Sequence, residues 1–353
     1  MKRLVIVLAI CSLGVIGLEV LSKPARRAPA TLNLVKLTDE QAHQTALQIE
    51  FPTASPDGRY LAFQRTDDIK LETLADGSRE YDFTDESNWD IWRMRVDGTE
   101  RIRLTDAPTL EDQPVWSPDS RTIVYRYDNN GSMDIYLMDA DGGNKRPLVD
   151  NPKSDEKAPA FSRDGKHVVF YSNMDGMKWN LYTIEIATRK ITRLTSEKIE
   201  DKHPQFSGDD RAIIFHSNRN SAKRAYNGAV HYAMGIFKLD LASRAITQLT
   251  ASHPDEDNRH PFVSPDGRFI TFHRNQLSPQ RGDSKVAKRL KRDIIVMTHD
   301  GRRMLNLTQN DERSFKHPSW SADGRQIYCL VKDGETAWNI CAIEVSEALA
   351  RLQ

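Results

Sequence analysis

Residues 261–272 read Pro-Phe-Val-Ser-Pro-Asp-Gly-Arg-Phe-Ile-Thr-Phe, which is a tight turn followed by an alternating segment. Serine suits the first turn position, proline presets φ at the second, aspartate suits the third, and glycine accepts a positive φ at the exit. The segment after the turn has the period of two and the β-branched and aromatic content of a strand. The stretch therefore predicts a turn that leads directly into a β-strand.

This pattern, Pro-x-x-Ser-x-Asp, occurs six times in the chain of 353 residues. The copies begin at Pro52, Pro114, Pro159, Pro204, Pro261 and Pro318. A further strand such as Asp134-Ile-Tyr136 and a closing pair such as Leu307-Thr308 follow the turn in most copies. Each copy thus supplies four antiparallel strands, and tandem four-stranded units are the blades of a β-propeller.

The repeats predict an all-β fold, a six-bladed β-propeller over residues 31–353. The predicted blades lie at about 51–105, 113–149, 158–195, 203–250, 260–308 and 317–345. The sixth copy lacks its closing Leu-Thr pair, while Leu32–Thr38 resembles the last strand of the fifth copy. We therefore expect residues 31–38 to complete blade 6 as its outer strand, which removes an open sheet edge.

The N-terminal residues have the pattern of an export segment. Met1-Lys2-Arg3 precedes a nearly uninterrupted apolar run from Leu4 to Leu21. Residues 1–30 are expected to be a cleaved signal peptide or an uncleaved membrane anchor, so the protein is predicted to be periplasmic or extracellular. Cys329 and Cys341 then remain in a compartment that permits disulfides. They are expected to form a disulfide, the alternative being two buried free thiols.

The charge composition gives no general attraction to nucleic acid. Lysine plus arginine and aspartate plus glutamate both number 50, so the formal net charge is zero. The sequence predicts a monomer without a nucleic-acid partner. Charge-guided binding must then come from local patches, such as the basic blade 5 insertion that contains Arg281 and Arg289.

The repeat resembles the propeller of the TolB family. The resemblance rests on the Pro-x-x-Ser-Pro-Asp-Gly-Arg turn, the Ile-x-Phe strand, Asp-Ile-Tyr and the closing Leu-Thr, and it covers nearly all residues after 31. No counterpart of the α/β domain that precedes the propeller in TolB is expected. Similar repeats occur in peptidases of the prolyl-oligopeptidase type, but the Gly-x-Ser-x-Gly elbow of those enzymes is absent here. They also occur in oligogalacturonate lyases, where propeller histidines and a glutamine hold a divalent metal.

Two faces of the predicted disc differ in their loops. The turn face carries the Ser-Pro-Asp-Gly and Asp-Gly turns, which are short. The loop face carries the connections into the first strand and between the second and third strands, where blades 1, 4 and 5 have insertions. Function concentrates on loops that a rigid scaffold carries. The loop face is therefore the predicted working surface.

The residue before each repeat proline is expected to lie at the loop-face end of the central channel. These residues are Phe51, Gln113, Ala158, His203, His260 and His317. Gln113 and the three histidines, together with Arg281 and Arg289, are the predicted ligand-binding residues. His203, His260 and His317 are also a candidate divalent-metal site. The alternative is that these histidines serve packing and hydrogen bonding within the repeat.

Two functions remain open from the sequence. The first is an exported, non-enzymatic scaffold that uses no cofactor and binds a protein or peptide of the cell envelope, as the TolB resemblance implies. The second is a divalent-metal-dependent lyase or hydrolase acting on acidic oligosaccharides, with an anionic glycan as its partner. Because no catalytic motif is recognisable and none of the residues is assigned a catalytic role, the binding protein is favoured.

Overall fold

The computed structural model describes residues 32–39, 46–69, 71–73, 79–81, 89–176, 178–196, 199–221, 223–226, 229–251, 253, 255–277, 289–332 and 338–353. The predicted export segment, residues 1–30, lies outside these ranges. Within the described ranges, no helix has both the length and the apolar character needed to cross a membrane.

The described chain forms six four-stranded antiparallel sheets arranged as the blades of a propeller. Strand β1 is Leu34–Lys36, and blade 1 follows with β2 (Ala46–Ala54), β3 (Tyr60–Ile69), a small hairpin of β4 (Leu71–Thr73) and β5 (Arg79–Tyr81), β6 (Asp90–Arg95) and β7 (Ile102–Arg103). Blade 2 contains β8 (Glu111–Trp116), β9 (Thr122–Asp128), β10 (Met133–Asp139) and β11 (Arg146–Val149). Blade 3 contains β12 (Glu156–Phe161), β13 (His167–Ser172), β14 (Asn180–Glu185) and β15 (Ile191–Arg193).

The second half of the chain repeats the arrangement. Blade 4 contains β16 (Asp201–Phe206), β17 (Ala212–Ser217), a hairpin of β18 (Lys223–Tyr226) and β19 (Ala229–Tyr232), β20 (Gly235–Asp240) and β21 (Ile246–Gln248). Blade 5 contains β22 (Glu256–Val263), β23 (Phe269–Leu277), β24 (Arg289–Thr298) and β25 (Met304–Asn306). Blade 6 contains β26 (Ser314–Trp320), β27 (Gln326–Lys332) and β28 (Asn339–Glu344), and the short helix α1 (Ser346–Ala350) follows it.

The predicted six-bladed, all-β fold is confirmed, including its closure by the N-terminal strand. Strand β1 pairs antiparallel with β28, with Leu34 opposite Ile343 and Lys36 opposite Cys341. The insertions of blades 1 and 4, for which no elements were predicted, each contain a two-stranded hairpin.

The apolar core lies in the seams between neighbouring blades. Among the described residues there are six large clusters of buried side chains, each drawn from two adjacent blades, and one small cluster of Trp89 and Leu110. At the seam that closes the ring, Phe63 and Met94 of blade 1 pack against Leu330 and Ile340 of blade 6. Because every blade shares both of its faces with neighbours, no single blade can bury its apolar side chains alone.

The Leu-Thr pair of the repeat has a structural explanation. In five blades the threonine hydroxyl accepts a hydrogen bond from a backbone N–H in the neighbouring third strand. The donor and acceptor pairs are Ile91 and Thr105, Leu181 and Thr195, Ile236 and Thr250, Ile294 and Thr308, and Ile340 and Thr38, at 2.8–3.0 Å. The last pair belongs to the closing strand, where Thr38 also donates to the Asn339 side chain at 2.8 Å. The N-terminal strand thus makes the same bond as a covalently continuous outer strand.

Each inner strand has a bulge at the residue before its proline. All six of these residues have a positive φ between 48° and 54°, although none is glycine. The pairing register between the first and second strands shifts at the same place in every blade. A bulge re-aims a side chain and disturbs the ladder locally. Because it occurs in all six blades, the bulge belongs to the repeat, and only its side chain differs from blade to blade.

Two turns compensate for the loss of their exit glycine. Ser120 and Asp210 take that position with φ of 61° and 57°, the left-handed conformation that glycine tolerates best. Ser120 Oγ accepts a hydrogen bond from the backbone N–H of Asp57, at 3.0 Å. The Asp210 carboxylate accepts hydrogen bonds from the N–H groups of Arg163 and Asp164, at 2.8 and 3.2 Å. Each side chain therefore links its turn to the turn of the preceding blade.

The two cysteines of blade 6 lie directly opposite each other on β27 and β28. Their Sγ atoms are 3.3 Å apart, both side chains are fully buried, and the structure has them as free thiols. Burial raises the pKa of Cys329 well above its ordinary value. The pairing of Cys329 with Cys341 in a disulfide stays a prediction, and the register allows it.

Thiol counting on the exported protein tests that prediction. We expect alkylation of the unfolded, non-reduced protein to find neither Cys329 nor Cys341 free, because the oxidising compartment joins cysteines that face each other. The same reaction after reduction supplies the control, with both residues labelled. Two labelled cysteines before reduction would show that the pair fills the seam as thiols.

A point substitution tests the closing strand. Thr38→Val should lower the free energy of unfolding by about 1–3 kcal/mol, because it leaves the buried N–H of Ile340 without an acceptor. Thr38→Ser, which keeps the hydroxyl, should cost much less. Thr308→Val, the equivalent change in blade 5, is the matched comparison in urea denaturation. If Thr308→Val destabilises the protein and Thr38→Val does not, β1 does not close the ring.

Candidate functional site

Four rings gather at the loop-face end of the channel, and we call this cluster the histidine mouth. Its members are Phe51, His203, His260 and His317, all half-buried bulge residues. The ring of His260 lies 4.0 Å from that of His203 and 4.6 Å from that of His317 between centroids. Phe51 stacks on His317 at 4.0 Å and lies nearly parallel to His203 at 6.1 Å. The predicted convergence of histidines from blades 4, 5 and 6 is therefore present.

Two buried histidines hold the mouth in place from behind. His216 and His273 occupy the second strands of blades 4 and 5 and are almost fully buried. Nδ1 of His216 accepts a hydrogen bond from the backbone N–H of His260 at 3.1 Å, and Nδ1 of His273 accepts one from that of His317 at 3.4 Å. Each bulge is thus anchored to the preceding blade.

The same anchor recurs in blades 1 and 2 with glutamine instead of histidine. Gln64 Oε1 accepts from the backbone N–H of Gln113 at 2.9 Å. Gln113 Oε1 in turn accepts from the backbone N–H of Ala158 at 2.8 Å. The side-chain oxygen of Gln113, a predicted ligand-binding residue, is therefore used to join blades 2 and 3.

The histidines of this site are neutral near pH 7. Burial lowers the pKa of His203, His216, His260 and His273 well below the usual value, and the nearby histidines and cationic side chains add to the effect. Burial also lowers the pKa of His317, although the Glu50 carboxylate works against it. Since His216 and His273 accept at Nδ1, their neutral rings carry the proton on Nε2.

An ion cluster joins the histidine mouth to the closing seam. Glu50 of blade 1 contacts the Lys316 ammonium group, and its other oxygen lies 2.6 Å from Nδ1 of His317. Burial acts to raise the pKa of Glu50, but Lys316 and His317 outweigh it and lower the pKa to about 2. Glu50 is therefore ionised, and it links the first and last blades through charge as well as packing.

A charged residue directly precedes the bulge in every blade. These residues are Glu50, Asp112, Lys157, Lys202, Arg259 and Lys316. Each has an opposite charge within reach, for example Arg259 with Asp257 at 2.7 Å and Lys202 with Glu200 at 2.9 Å. Lys157 and Lys202 also lie 5.0 and 5.7 Å from the Trp179 ring centroid. The four cations of this set are thus already paired with acids, and two of them also lie beside an aromatic ring.

The donor set fits a divalent metal poorly. Among the described residues, His260, His273 and His317 have ligand atoms within 4.8 Å of one another. A histidine binds a metal through a ring nitrogen that carries no proton, and the proton of the neutral ring is then on the other nitrogen. If Nε2 of His273 bound the metal, the proton would lie on Nδ1 and would clash with the backbone N–H of His317. If Nδ1 bound the metal, the hydrogen bond that Nδ1 accepts from this N–H would be lost. Of these three, only His260 and His317 keep a nitrogen free, which is fewer than the three protein ligands of a catalytic zinc-type site, and His203 is not part of the group.

The structure brings some of the sequence-predicted site residues together and not others. His203, His260 and His317 come together, whereas Gln113 is engaged with the next blade. Arg281 lies outside the described residues, and of Arg289 only the backbone, at the start of β24, is described. The sequence alone did not point to His216 and His273. Their position in the repeat could have indicated them. Each follows the aromatic residue of the second strand in its blade, and Gln64 occupies the same position in blade 1.

Comparison with known proteins identifies the repeat. Residues 144–234 match the family PD40, the TolB beta propeller domain. The chain carries a TolB-like propeller. The Tol-Pal system protein TolB of Francisella tularensis subsp. holarctica (strain OSU18) is 35% identical over 95 residues, which are 27% of this chain and 21% of that protein. The match to that relative thus spans about a fifth of its length.

Solved structures share the fold of this TolB-like propeller. The putative TolB of Agrobacterium tumefaciens has a TM-score of 0.58 and 22% identity, and the match covers 81% of this chain and 91% of that one. Oligogalacturonate lyase in complex with manganese has a TM-score of 0.52 and 13% identity, over 91% and 96% of the two chains. At these identities the likeness shows the fold alone.

Because the buried histidines are neutral, we expect the folded protein to lose stability in acid. One substitution should reduce that loss. Below about pH 6.5 the unfolded chain takes up protons on these residues and the folded chain does not, so the free energy of unfolding falls as the pH drops. His216→Gln keeps an acceptor for the His260 N–H, as Gln64 does in blade 1. It should leave stability at pH 8 nearly unchanged and reduce the loss between pH 6 and 5 by about 1.4 kcal/mol per pH unit at most.

Urea denaturation at pH 8, 6 and 5 measures this effect, with the exposed His299→Gln as the control. An equal pH dependence in wild type and His216→Gln would contradict a neutral, buried His216.

Proposed function

We propose that this protein is an exported, non-enzymatic scaffold that binds a protein or peptide of the cell envelope at the histidine mouth. The observation that carries the proposal is the mouth itself, a preformed cluster of half-buried, neutral rings at the end of a rigid channel. The TolB-like repeat and the name of its Francisella relative, a Tol-Pal system protein, support the choice of an envelope partner.

The chemistry of the mouth suits a polypeptide segment. Half-buried aromatic and imidazole rings offer apolar area, and the imidazoles also offer hydrogen bonds without a net charge to desolvate. Nδ1 of His260 is buried and has no hydrogen-bond partner among the described residues. A polar group of a bound segment would satisfy it. The bulges of His260 and His317 are fixed by bonds to the preceding blade, so little ordering of these two residues is needed on binding.

The surrounding charges would confer specificity more than affinity. The bordering cations already have acidic partners, so an incoming carboxylate would exchange one ion pair for another. Such exchanges contribute little net affinity, because each new ion pair replaces an existing one. The rings at the centre are therefore expected to carry most of the binding energy, as buried anchors do in protein interfaces.

The described residues of the site do not favour the lyase or hydrolase alternative. The lyase that shares this fold was solved with manganese, whereas here the proton position on His273 opposes metal binding by the group His260, His273 and His317. We therefore propose no metal cofactor. Export is proposed from the N-terminal sequence alone, with the periplasm as the compartment.

Removal of the central ring tests the proposed site. His260→Ala should weaken binding of an envelope partner by roughly tenfold, because it takes away the ring that contacts His203 and His317. Immobilised wild-type and variant proteins exposed to the same envelope extract, followed by titration of the recovered partner, measure this loss. His299→Ala, which removes an exposed histidine of the turn face, should bind like the wild type.

The thermal melt and the metal content separate the possible outcomes. Unchanged binding by a folded but less stable His260→Ala protein would make the histidines structural and move the site elsewhere. A stoichiometric divalent metal, together with turnover of an acidic oligosaccharide, would replace this proposal with the lyase.

A further inference from the structure

A second cavity lies at the turn-face end of the channel, away from the histidine mouth. Its volume is about 370 Å³, within the range of small-molecule sites. All six blades contribute to its wall, mainly with residues that follow the repeat prolines and so lie nearer the turn face. The wall includes Pro56, Trp116, Phe161, Phe206, Phe262 and Trp320. We call this space the turn-face cavity.

The wall of the turn-face cavity combines apolar rings with polar groups, and its two indole N–H groups are already bonded to the protein. Nε1 of Trp116 donates to the carbonyl of Thr53 at 3.2 Å, and Nε1 of Trp320 donates to that of Phe262 at 3.1 Å. The Thr53 hydroxyl donates to the carbonyl of Pro114 at 2.9 Å. The indoles therefore turn only carbon surface toward the space.

The carboxylates at the rim are also engaged. The serine of each Pro-x-x-Ser-x-Asp turn donates to the aspartate two residues later, at 2.6–2.7 Å in all six blades. These aspartates also accept a bond from the backbone N–H two residues further on, as Asp57 does from Arg59 at 3.1 Å. Each of these carboxylates is thus hydrogen-bonded within its own turn.

Arg163 is the exception in this wall. Its Nη2 donates to the Ser264 carbonyl at 2.7 Å, so the side chain reaches from blade 3 past blade 4 to blade 5. The guanidinium group has no acidic partner among the described residues, and its other N–H donors stay uncommitted there. Gln205, also in the wall, has no side-chain hydrogen bond to a described residue.

The close approach of two glycines opens the path for Arg163. Gly208 occupies the turn of blade 4 where blades 1, 2 and 5 have proline and blade 3 has Arg163. A Cβ atom on Gly208 would lie 2.4 Å from Cα of Gly267, which no real side chain tolerates. The turns of blades 4 and 5 therefore meet without side chains between them, and Arg163 spans them above the cavity.

We propose that the turn-face cavity binds a small amphipathic anion, a molecule with an apolar or aromatic body and one acidic group. The body lies against the indole and phenyl faces, and the acidic group pairs with the guanidinium of Arg163. The amide of Gln205 supplies a further hydrogen bond. A guanidinium group without an ion pair among the described residues, beside indole and phenyl faces, is complementary to this class of ligand.

The two ends of the channel act as separate sites. The rings of Phe51, His203, His260 and His317 pack against one another at the loop-face end, with centroids 4.0–6.1 Å apart. A ligand therefore enters the turn-face cavity from the turn face, and its binding is independent of a partner at the histidine mouth.

A pair of fluorescent probes with the same kind of body tests the proposal. 1-Anilinonaphthalene-8-sulfonate carries an anion, and N-phenyl-1-naphthylamine is its neutral counterpart. We expect both to bind the full-length protein with one site per chain. Arg163→Gln should weaken the sulfonate by roughly tenfold and leave the neutral probe unchanged, because a charge-assisted hydrogen bond is lost. Val115→Phe, which places a ring into the cavity, should weaken both probes.

The controls distinguish this site from general apolar surface. Arg211→Gln removes an exposed cation of a neighbouring turn outside the cavity and should bind both probes like the wild type. Thermal melts exclude probe binding to unfolded chains, which the sulfonate also reports. Failure of both probes to bind at one site per chain, or an equal effect of Arg163→Gln and Arg211→Gln on the sulfonate, would overturn the proposal. Unchanged binding in His260→Ala would separate this cavity from the histidine mouth.

Discussion

The left-handed residue ahead of each inner-strand proline decides what the channel of this propeller contains. A regular strand would turn this side chain toward a neighbouring blade, where the apolar seams are. The bulge instead turns one side chain per blade toward the axis, in a conformation that costs a non-glycine residue about 1–2 kcal/mol. Hydrogen bonds from the preceding blade to the bulge N–H offset that cost in blades 2, 3, 5 and 6. The scaffold and the candidate site are therefore built by the same bulges and bonds, and the proposed function depends on which residue each bulge presents.

The sequence predicted the fold because its turn chemistry, strand period and closing threonine agree in nearly every copy. It predicted the convergence of His203, His260 and His317 for the same reason, since equivalent positions in a closed ring must meet at its axis. It did not predict His216 and His273, because a histidine inside a strand looks like any other half-apolar residue until its neighbour is known. The pairing of Glu50 with Lys316 and His317 joins residues 266 positions apart along the chain, so only the closed ring reveals it.

The sequence did not predict the turn-face cavity, and the reason is physical. Short turns predict a surface without recognition loops, and that is correct for the rim of the disc. The cavity, however, is made by the spread of six inner strands around an axis, and no local pattern encodes that spread. The result is a channel with two unlike ends. One is lined by neutral rings beside balanced charges, and the other by indoles and prolines under a single arginine.

The pairing of Thr38 with Ile340, 302 residues apart, has a consequence for the order of folding. Synthesis produces the chain from its N-terminus, so β1 emerges first and its partner β28 among the last segments. Until then β1 is an unpaired strand, and blade 1 lacks one of its two neighbours. Local hairpins within each blade can form early, since they join residues that are near in sequence. Closure of the ring is then the slow, non-local event, and an interrupted chain would carry an open sheet edge prone to pair with other chains.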